Sequence, residues 1–414
     1  MGANLSQLNI KNTEVPFIFE EDKNLPIVSM QLVFENSGSL ADTQSGIAKL
    51  LASLLNEGTK KEGSVAFATK LENRAISISS NAGQETFVIE VSALKSEFTQ
   101  AIEYLKELLQ DPNYSEGTLT KIKTDTLGTL QRKESDFDYL SSLGLKKILF
   151  PNTPLANAPL GTVESVEKIT LKNLKKYFDT HLGVENAIVV MGGDLAQKEA
   201  ESLVLPVLEL LTSVKQHKIE TMKAVAKKQI KKRIEESQQA YIYFGSPLDI
   251  PYDSKALPLS QLASFILGSS GFGSRMMEEI RVKKGLAYSA YSKFHINKTN
   301  SYFSGYLQTK VESGDEAVAS VQELVKTFID KGVTQEELES AQQFLLGSEP
   351  LRNETLSQRL GRAFNEYYKE QPLGFTAQNL KKIEAVTLEE LNSFIKKHQE
   401  LEKLSFFVLT GKRG

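Results

Sequence analysis

The chain repeats itself. Ala101-Ile102-Glu103-Tyr104-Leu105-Lys106-Glu107-Leu108 returns in outline as Ala317-Val318-Ala319-Ser320-Val321-Gln322-Glu323-Leu324, an offset of 216 residues. Val166-Glu167-Lys168-Ile169-Thr170-Leu171-Lys172-Asn173-Leu174 returns as Ile383-Glu384-Ala385-Val386-Thr387-Leu388-Glu389-Glu390-Leu391, an offset of 217. Each copy then passes through a helical stretch into an apolar strand ending in glycine, at Gly192 and at Gly411. Two features at one offset constrain the fold strongly, because whatever the first half folds into, the second half must fold into as well. A length of 414 residues is also more than one hydrophobic core usually serves. The expected division is a first domain over 1–212, a linker over 213–233 and a second domain over 234–414. The linker carries Lys223, Lys227, Lys228, Lys231 and Lys232 and reads as a solvated segment.

Each half carries the same coarse elements. In the first, Asn24 to Phe34 alternates like a strand, and a helix follows from Gly46 to Asn56. Ile76–Ser80 and Thr86–Ser92 read as two strands around the turn Asn81-Ala82-Gly83, and a helix from Lys95 to Gln110 stops before Pro112. In the second, strands are expected at Ala240–Phe244, Ala287–His295 and Ser301–Thr309, with a helix over Ala256–Leu267. Strands and helices segregate within each half. The expected class is therefore α+β: two tandem homologous domains, each an antiparallel sheet with helices packed on one face.

Composition excludes several classes. A net charge of −3 and a pI of about 6.0 leave no electrostatic footprint for nucleic acid. No apolar run reaches the roughly 20 residues that span a bilayer. With no cysteine the chain has neither disulfides nor thiolate metal sites, which suits the periplasm slightly better than the cytoplasm. The histidines, His181, His217, His295 and His398, lie at least 36 residues apart and are expected in surface or capping roles.

The helix from Gly46 places Ile47, Leu50, Leu51, Leu54 and Leu55 on one apolar stripe, with Lys49, Ala52, Ser53 and Asn56 opposite. Taken by itself it is an amphipathic core helix. Yet Gly46-Ile47-Ala48, Leu51 and Gly58-Thr59 resemble the zinc helix of the insulinase/pitrilysin and mitochondrial-processing-peptidase family, the inverzincins, which reads G-I-A-H-x-L-E-H-x-x-x-x-G-T. Lys49 and Ser53 stand where that helix has its two histidines, and Ala52 where it has its general-base Glu. The family's third ligand falls near Leu130, with Glu134 the nearest carboxylate. A catalytic zinc needs about three lone-pair donors and an open position. An ammonium offers no lone pair, and a methyl group deprotonates no water.

The second half carries Gly268-Ser269-Ser270-Gly271-Phe272-Gly273-Ser274-Arg275, then Ile280-Arg281 and Gly285-Leu286-Ala287-Tyr288. The glycine-rich run is neither G-x-G-x-x-G nor a Walker loop, and reads as a turn between helices. Ser274 reads as an N-cap and Gly285 as a left-handed C-terminal residue. Leu286, Tyr288 and Ala290 are expected on one strand face. Ser274, Arg275, Ile280, Arg281, Gly285, Leu286, Ala287 and Tyr288 resemble the same family's second-domain signature, S-R-L-x-x-x-[IL]-R-x-x-x-G-L-A-Y. In that family the last-turn Arg and the strand Tyr bind the substrate backbone opposite the zinc. These positions are Arg281 and Tyr288 here.

The resemblance therefore implies a non-catalytic subunit of a heterodimeric zinc metallopeptidase. It would bind no metal itself. A homologous zinc-bearing subunit would supply zinc, and Arg281 and Tyr288 would position an extended peptide substrate. The other reading is a non-proteolytic scaffold or peptide-binding protein of the same fold. No nucleophile–base spacing supports an independent hydrolase of another class.

Overall fold

The computed structural model describes residues 2–412. Among the described residues twelve strands form two sheets. The first sheet takes β1 (Asn4–Ile10), β2 (Thr13–Glu21), β3 (Ile27–Glu35), β4 (Ser77–Ala82), β5 (Thr86–Leu94) and β6 (Ala187–Gly193), in the order β1-β2-β6-β3-β5-β4. The second takes β7 (Met222–Lys223), β8 (Ile230–Ile234), β9 (Gln239–Pro247), β10 (Ala290–Ile296), β11 (Asn300–Lys310) and β12 (Ser405–Thr410), in the order β10-β11-β9-β12-β8, with β7 beside β11. Read from its other edge, the first order is β4-β5-β3-β6-β2-β1, and the second maps strand for strand onto its first five members. Even the parallel pair recurs, β2 with β6 and β8 with β12, within sheets otherwise antiparallel apart from β7. The α+β class and the duplicated organisation are thus as the sequence led us to expect.

The repeat has the same local causes in both copies. Thr170 and Thr387 each cap a helix with a reciprocal capping box, the first closed by Asn173 and the second by Glu390. The apolar faces of Lys95–Gln110 and Gly314–Lys331 pack into the respective cores.

The expected domain boundaries need correction. One compact unit comprises the chain up to Arg132, Asn157–Ile219 and Arg352–Tyr368. The other comprises Lys133–Ala156, Glu220–Leu351 and the chain from Lys369. One helix from each half thus belongs to the other half's unit. The helix Leu356–Tyr368 packs on β2 and β6, and the helix Phe137–Leu149 packs on β9 and β12. Each covers part of the sheet face opposite the main helical layer, which is why β6 is buried along its whole length. Gly144 makes one approach possible, since a Cβ there would lie 2.4 Å from the Phe407 ring.

The segment 213–233 is likewise more than a linker, because it contains β7 and most of β8. Two of the five lysines, Lys231 and Lys232, lie in an exposed edge strand, Ile230-Lys231-Lys232-Arg233-Ile234, parallel to β12, and Lys223 lies in β7. Lysines on an edge discourage pairing with another chain, so a run that reads as solvated linker also suits an edge strand.

Candidate functional site

The first unit positions Lys49, Ala52 and Ser53 on the helix Ile47–Leu55. Its start is fixed by Gly46 at φ +95°, where a Cβ would meet the Leu160 carbonyl at 2.7 Å. The Asp42 carboxylate accepts from the Gly46 N–H (2.8 Å) and the Ala48 N–H (3.1 Å). Burial nevertheless pushes its carboxyl up to about 7. The stripe Ile47, Leu50, Leu51, Leu54 and Leu55 is buried as its spacing predicts. At the other end, Gly58 takes φ +71° against Phe67 and the Thr59 hydroxyl accepts from the Glu62 N–H.

The three chemical positions are occupied by other work. Lys49 Nζ donates to Asn81 Oδ1 at 2.9 Å, and burial lowers its pKa. Ser53 Oγ donates back to the Lys49 carbonyl at 3.2 Å. Ala52 is 4% exposed, and its carbonyl accepts from Ser80 Oγ at 2.7 Å. Leu130 is buried on the helix Glu116–Lys133. These groups do not fit a zinc ion: the nitrogen at Lys49 bears protons directed at an amide oxygen, and Leu130 offers only methyl groups. Among the described residues no three His, Cys, Asp or Glu side chains are grouped as a metal site requires.

Two histidines do meet, against the sequence expectation. His181 is 4% exposed and stacks between Tyr177 (ring centroids 3.9 Å apart) and His217 (4.4 Å). Their separation along the chain says nothing of separation in space. His295, expected at the surface, is half-buried and stacks on Tyr302 at 4.4 Å.

In the second unit, Ser274 caps a short helix, its Oγ accepting from the Met277 N–H at 3.3 Å. Arg275 forms a bidentate pair with Glu337, both contacts 2.6 Å. The helix widens into a π-helical stretch, Glu278–Lys283, and ends at Gly285 with φ +62°. Such widening is frequent at functional sites. The Gly285 N–H donates to the Arg281 carbonyl and the Leu286 N–H to the Ile280 carbonyl. Regular strand begins only at Ala290, so the expected single face for Leu286, Tyr288 and Ala290 does not form. Leu286 and Ala290 are buried, whereas Tyr288 is 85% exposed. After a left-handed residue the period of two does not apply until pairing with β11 resumes.

Arg281 and Tyr288 are brought together. The Arg281 guanidinium lies 4.8 Å from the Tyr288 ring centroid and 5.0 Å from that of Phe272, held between two exposed aromatic rings. Among the described residues neither the guanidinium nor the Tyr288 hydroxyl has a hydrogen-bond or carboxylate partner. Sequence reasoning missed Phe272, although its place between Gly271 and Gly273, at φ +71° and +85°, marks an exposed turn.

Residues 17–163 match the family described as Insulinase (Peptidase family M16), and residues 168–345 match the Peptidase M16 inactive domain. A Helicobacter pylori protein named Non-peptidase homolog YmxG is 44% identical over 417 residues, covering 100% of this chain and 96% of that protein. The chain belongs to the M16 peptidase family. Among solved structures, an M16 inactive domain from Pseudomonas fluorescens superposes with a TM-score of 0.90 at 25% identity, covering 99% of both chains. A more distant relative, a probable mitochondrial-processing peptidase subunit beta of Arabidopsis thaliana, is 24% identical over 230 residues, 56% of this chain and 40% of that protein. Its name makes it one subunit of a peptidase. Among the described residues no helix is long and apolar enough to cross a membrane.

Proposed function

We propose that this chain is the substrate-positioning, non-catalytic subunit of a two-subunit M16 metallopeptidase. One observation carries the reading. Nearly every residue that matches the two family motifs has a structural duty: Gly46 and Gly285 in left-handed turns, Ile47, Ala48, Leu51, Ile280, Leu286 and Ala287 in the cores, Ser274 as a cap, Arg275 in an ion pair. Arg281 and Tyr288 have none. They hold unpaired donors at the surface, suited to a peptide carbonyl and to negative charge developing on it. This chain binds no catalytic zinc, and a homologous subunit with an intact H-x-x-E-H supplies it. The peptide adds to an exposed sheet edge through main-chain hydrogen bonds.

The test is reconstitution. Mixed with a zinc-bearing homologue, the chain is expected to form a 1:1 complex on size exclusion and to be required for chelator-sensitive peptide cleavage. Tyr288→Phe removes only a hydroxyl, and loss of one such donor typically slows turnover about 100–1,000-fold without affecting assembly. Wild-type cleavage by the Tyr288→Phe complex refutes the positioning role and leaves a scaffold. Stoichiometric zinc in the isolated chain refutes the division of labour.

A further inference from the structure

Beside the Arg281–Tyr288 pair the second unit has a cavity of about 330 Å³ that no part of the reading above uses. Its apolar lining is Phe265, Ile266, Phe272, Ala341 and Phe344. Phe265 and Phe344 meet with ring centroids 5.1 Å apart at 38°. Phe344 is 52% exposed and Phe272 80%, so two of the aromatic rings that line the hollow stand open to solvent. Lone exposed apolar residues need no explanation, but rings gathered around a cavity do.

Phe272 belongs to both places. It lines the cavity and also lies against the Arg281 guanidinium. A peptide whose backbone is held by Arg281 and Tyr288 therefore passes the mouth of the cavity, and one of its side chains is presented to it. The rim has a sign as well. Glu337 is matched by Arg275, whereas Glu336 has no ion-pair partner among the described residues.

We propose that this cavity is a side-chain subsite that selects an aromatic residue in the bound peptide and rejects an acidic one. The inference rests on the substrate-positioning reading. Three ring walls offer edge and face contacts that an aliphatic side chain uses less well, and aromatic pairs gain beyond their buried area. An acidic guest would lose its hydration among phenyl rings and face Glu336. The π-helical stretch Phe265–Ser269 supplies Phe265 and Ile266 to the wall.

The experiment uses the full chain and capped Ala/Ser hexapeptides with one guest residue, Phe, Leu or Glu, titrated by calorimetry. The Phe guest is expected to bind about tenfold or more tighter than the Glu guest, the range a shaped apolar pocket gives. Phe344→Ala removes a wall, and Ser340→Phe fills the hollow from its exposed rim; each is expected to abolish the preference. Both sites are on the surface, and circular dichroism confirms folding. Arg281→Ala is expected to weaken every guest by the same factor. Equal affinity for all guests, a preference that survives both pocket variants, or no binding at millimolar peptide overturns the subsite. Uniform weakening by Arg281→Ala with no guest preference overturns the subsite alone. A guest preference that Arg281→Ala leaves untouched, at unchanged affinity, overturns the positioning reading instead.

Discussion

Arg359 tests whether the helix Leu356–Tyr368 truly belongs to the first unit. Its Nε donates to Glu20 Oε1 at 2.6 Å, its Nη2 to Asp22, and its Nη1 to the Glu354 carbonyl at 2.8 Å. The Glu20 side chain is 3% exposed and that of Asp22 is 12% exposed, against 22% for Arg359. The pair is thus buried mainly on the carboxylate side. Arg359→Ala would leave Glu20 as an uncompensated charge under the helix. Breaking a buried pair typically costs about 3–5 kcal/mol, and the partial exposure of Arg359 puts the expected loss near the lower end. Glu20 Oε2 already lacks a partner, so little can rearrange to compensate. Urea unfolding of Arg359→Ala, Glu20→Gln and the double variant forms a cycle in which the double variant should recover a large part of the loss, with a coupling of about 1–3 kcal/mol. Limited proteolysis near Glu349–Thr355 should accelerate in Arg359→Ala. A loss below about 1 kcal/mol with no coupling would mean that the ion pair does not hold the helix.

The remaining expectations are independent of that one. His181 is buried neutral, its pKa lowered to about 4 by burial first and then by the charge of His217. As pH falls from about 6.5 to about 4 the unfolded chain binds a proton that the folded chain does not, so stability drops through that window by at most about 3 kcal/mol. His181→Phe should remove this part of the acid sensitivity, and equal losses in variant and wild type between about pH 7.5 and pH 4.5 would contradict it. Gly144→Ala should destabilise by about 1–3 kcal/mol through its clash with Phe407, although alanine favours a helix by about 1 kcal/mol. A raised melting temperature would show that the Phe407 ring yields.

The sequence disclosed what local chemistry decides. The helix Lys95–Gln110 and the hairpin β4–β5 fall where pattern and punctuation place them. What it hid depends on partners far along the chain. Val15, Phe17 and Phe19 alternate well enough for a strand, yet the hairpin β1–β2 went unread because its turn, Lys11-Asn12, takes φ of +50° and +64° without a glycine to announce it. The exchanged helices are ordinary amphipathic segments, and nothing local says which sheet they cover. At the candidate site, Arg281 and Tyr288 came from a motif, while Phe272 lay in a glycine-rich run that reads only as a turn.

The two copies also show how one fold solves the same packing task differently. Across the first sheet one register row reads Ser79, Glu90, Gln31, Val190, Ile18. The equivalent row of the second reads Tyr291, Tyr306, Tyr243, Phe407, Lys231. Gln31 and Glu90 bond to each other. Tyr243 stacks on Tyr306 at 5.5 Å and donates its hydroxyl to Asp138 of the exchanged helix Phe137–Leu149 at 3.0 Å. Gln308 Nε2 also donates to both Asp138 oxygens, at 3.0 and 2.9 Å. The first unit fixes its borrowed helix with a guanidinium between two carboxylates. The second fixes its own with one carboxylate between a phenol and an amide. The two anchors should respond differently to loss of one partner. Tyr243→Phe keeps the ring stack and leaves Asp138 accepting from Gln308, so it forfeits one hydrogen bond to a charged group, about 1.5–3 kcal/mol, without stranding a charge. Because Asp138 keeps a donor, the cost should sit at the low end and below that of Arg359→Ala in the same urea assay. If Tyr243→Phe proves the costlier of the two, the phenol rather than Gln308 satisfies Asp138, and the row of tyrosines is the anchor of the second unit.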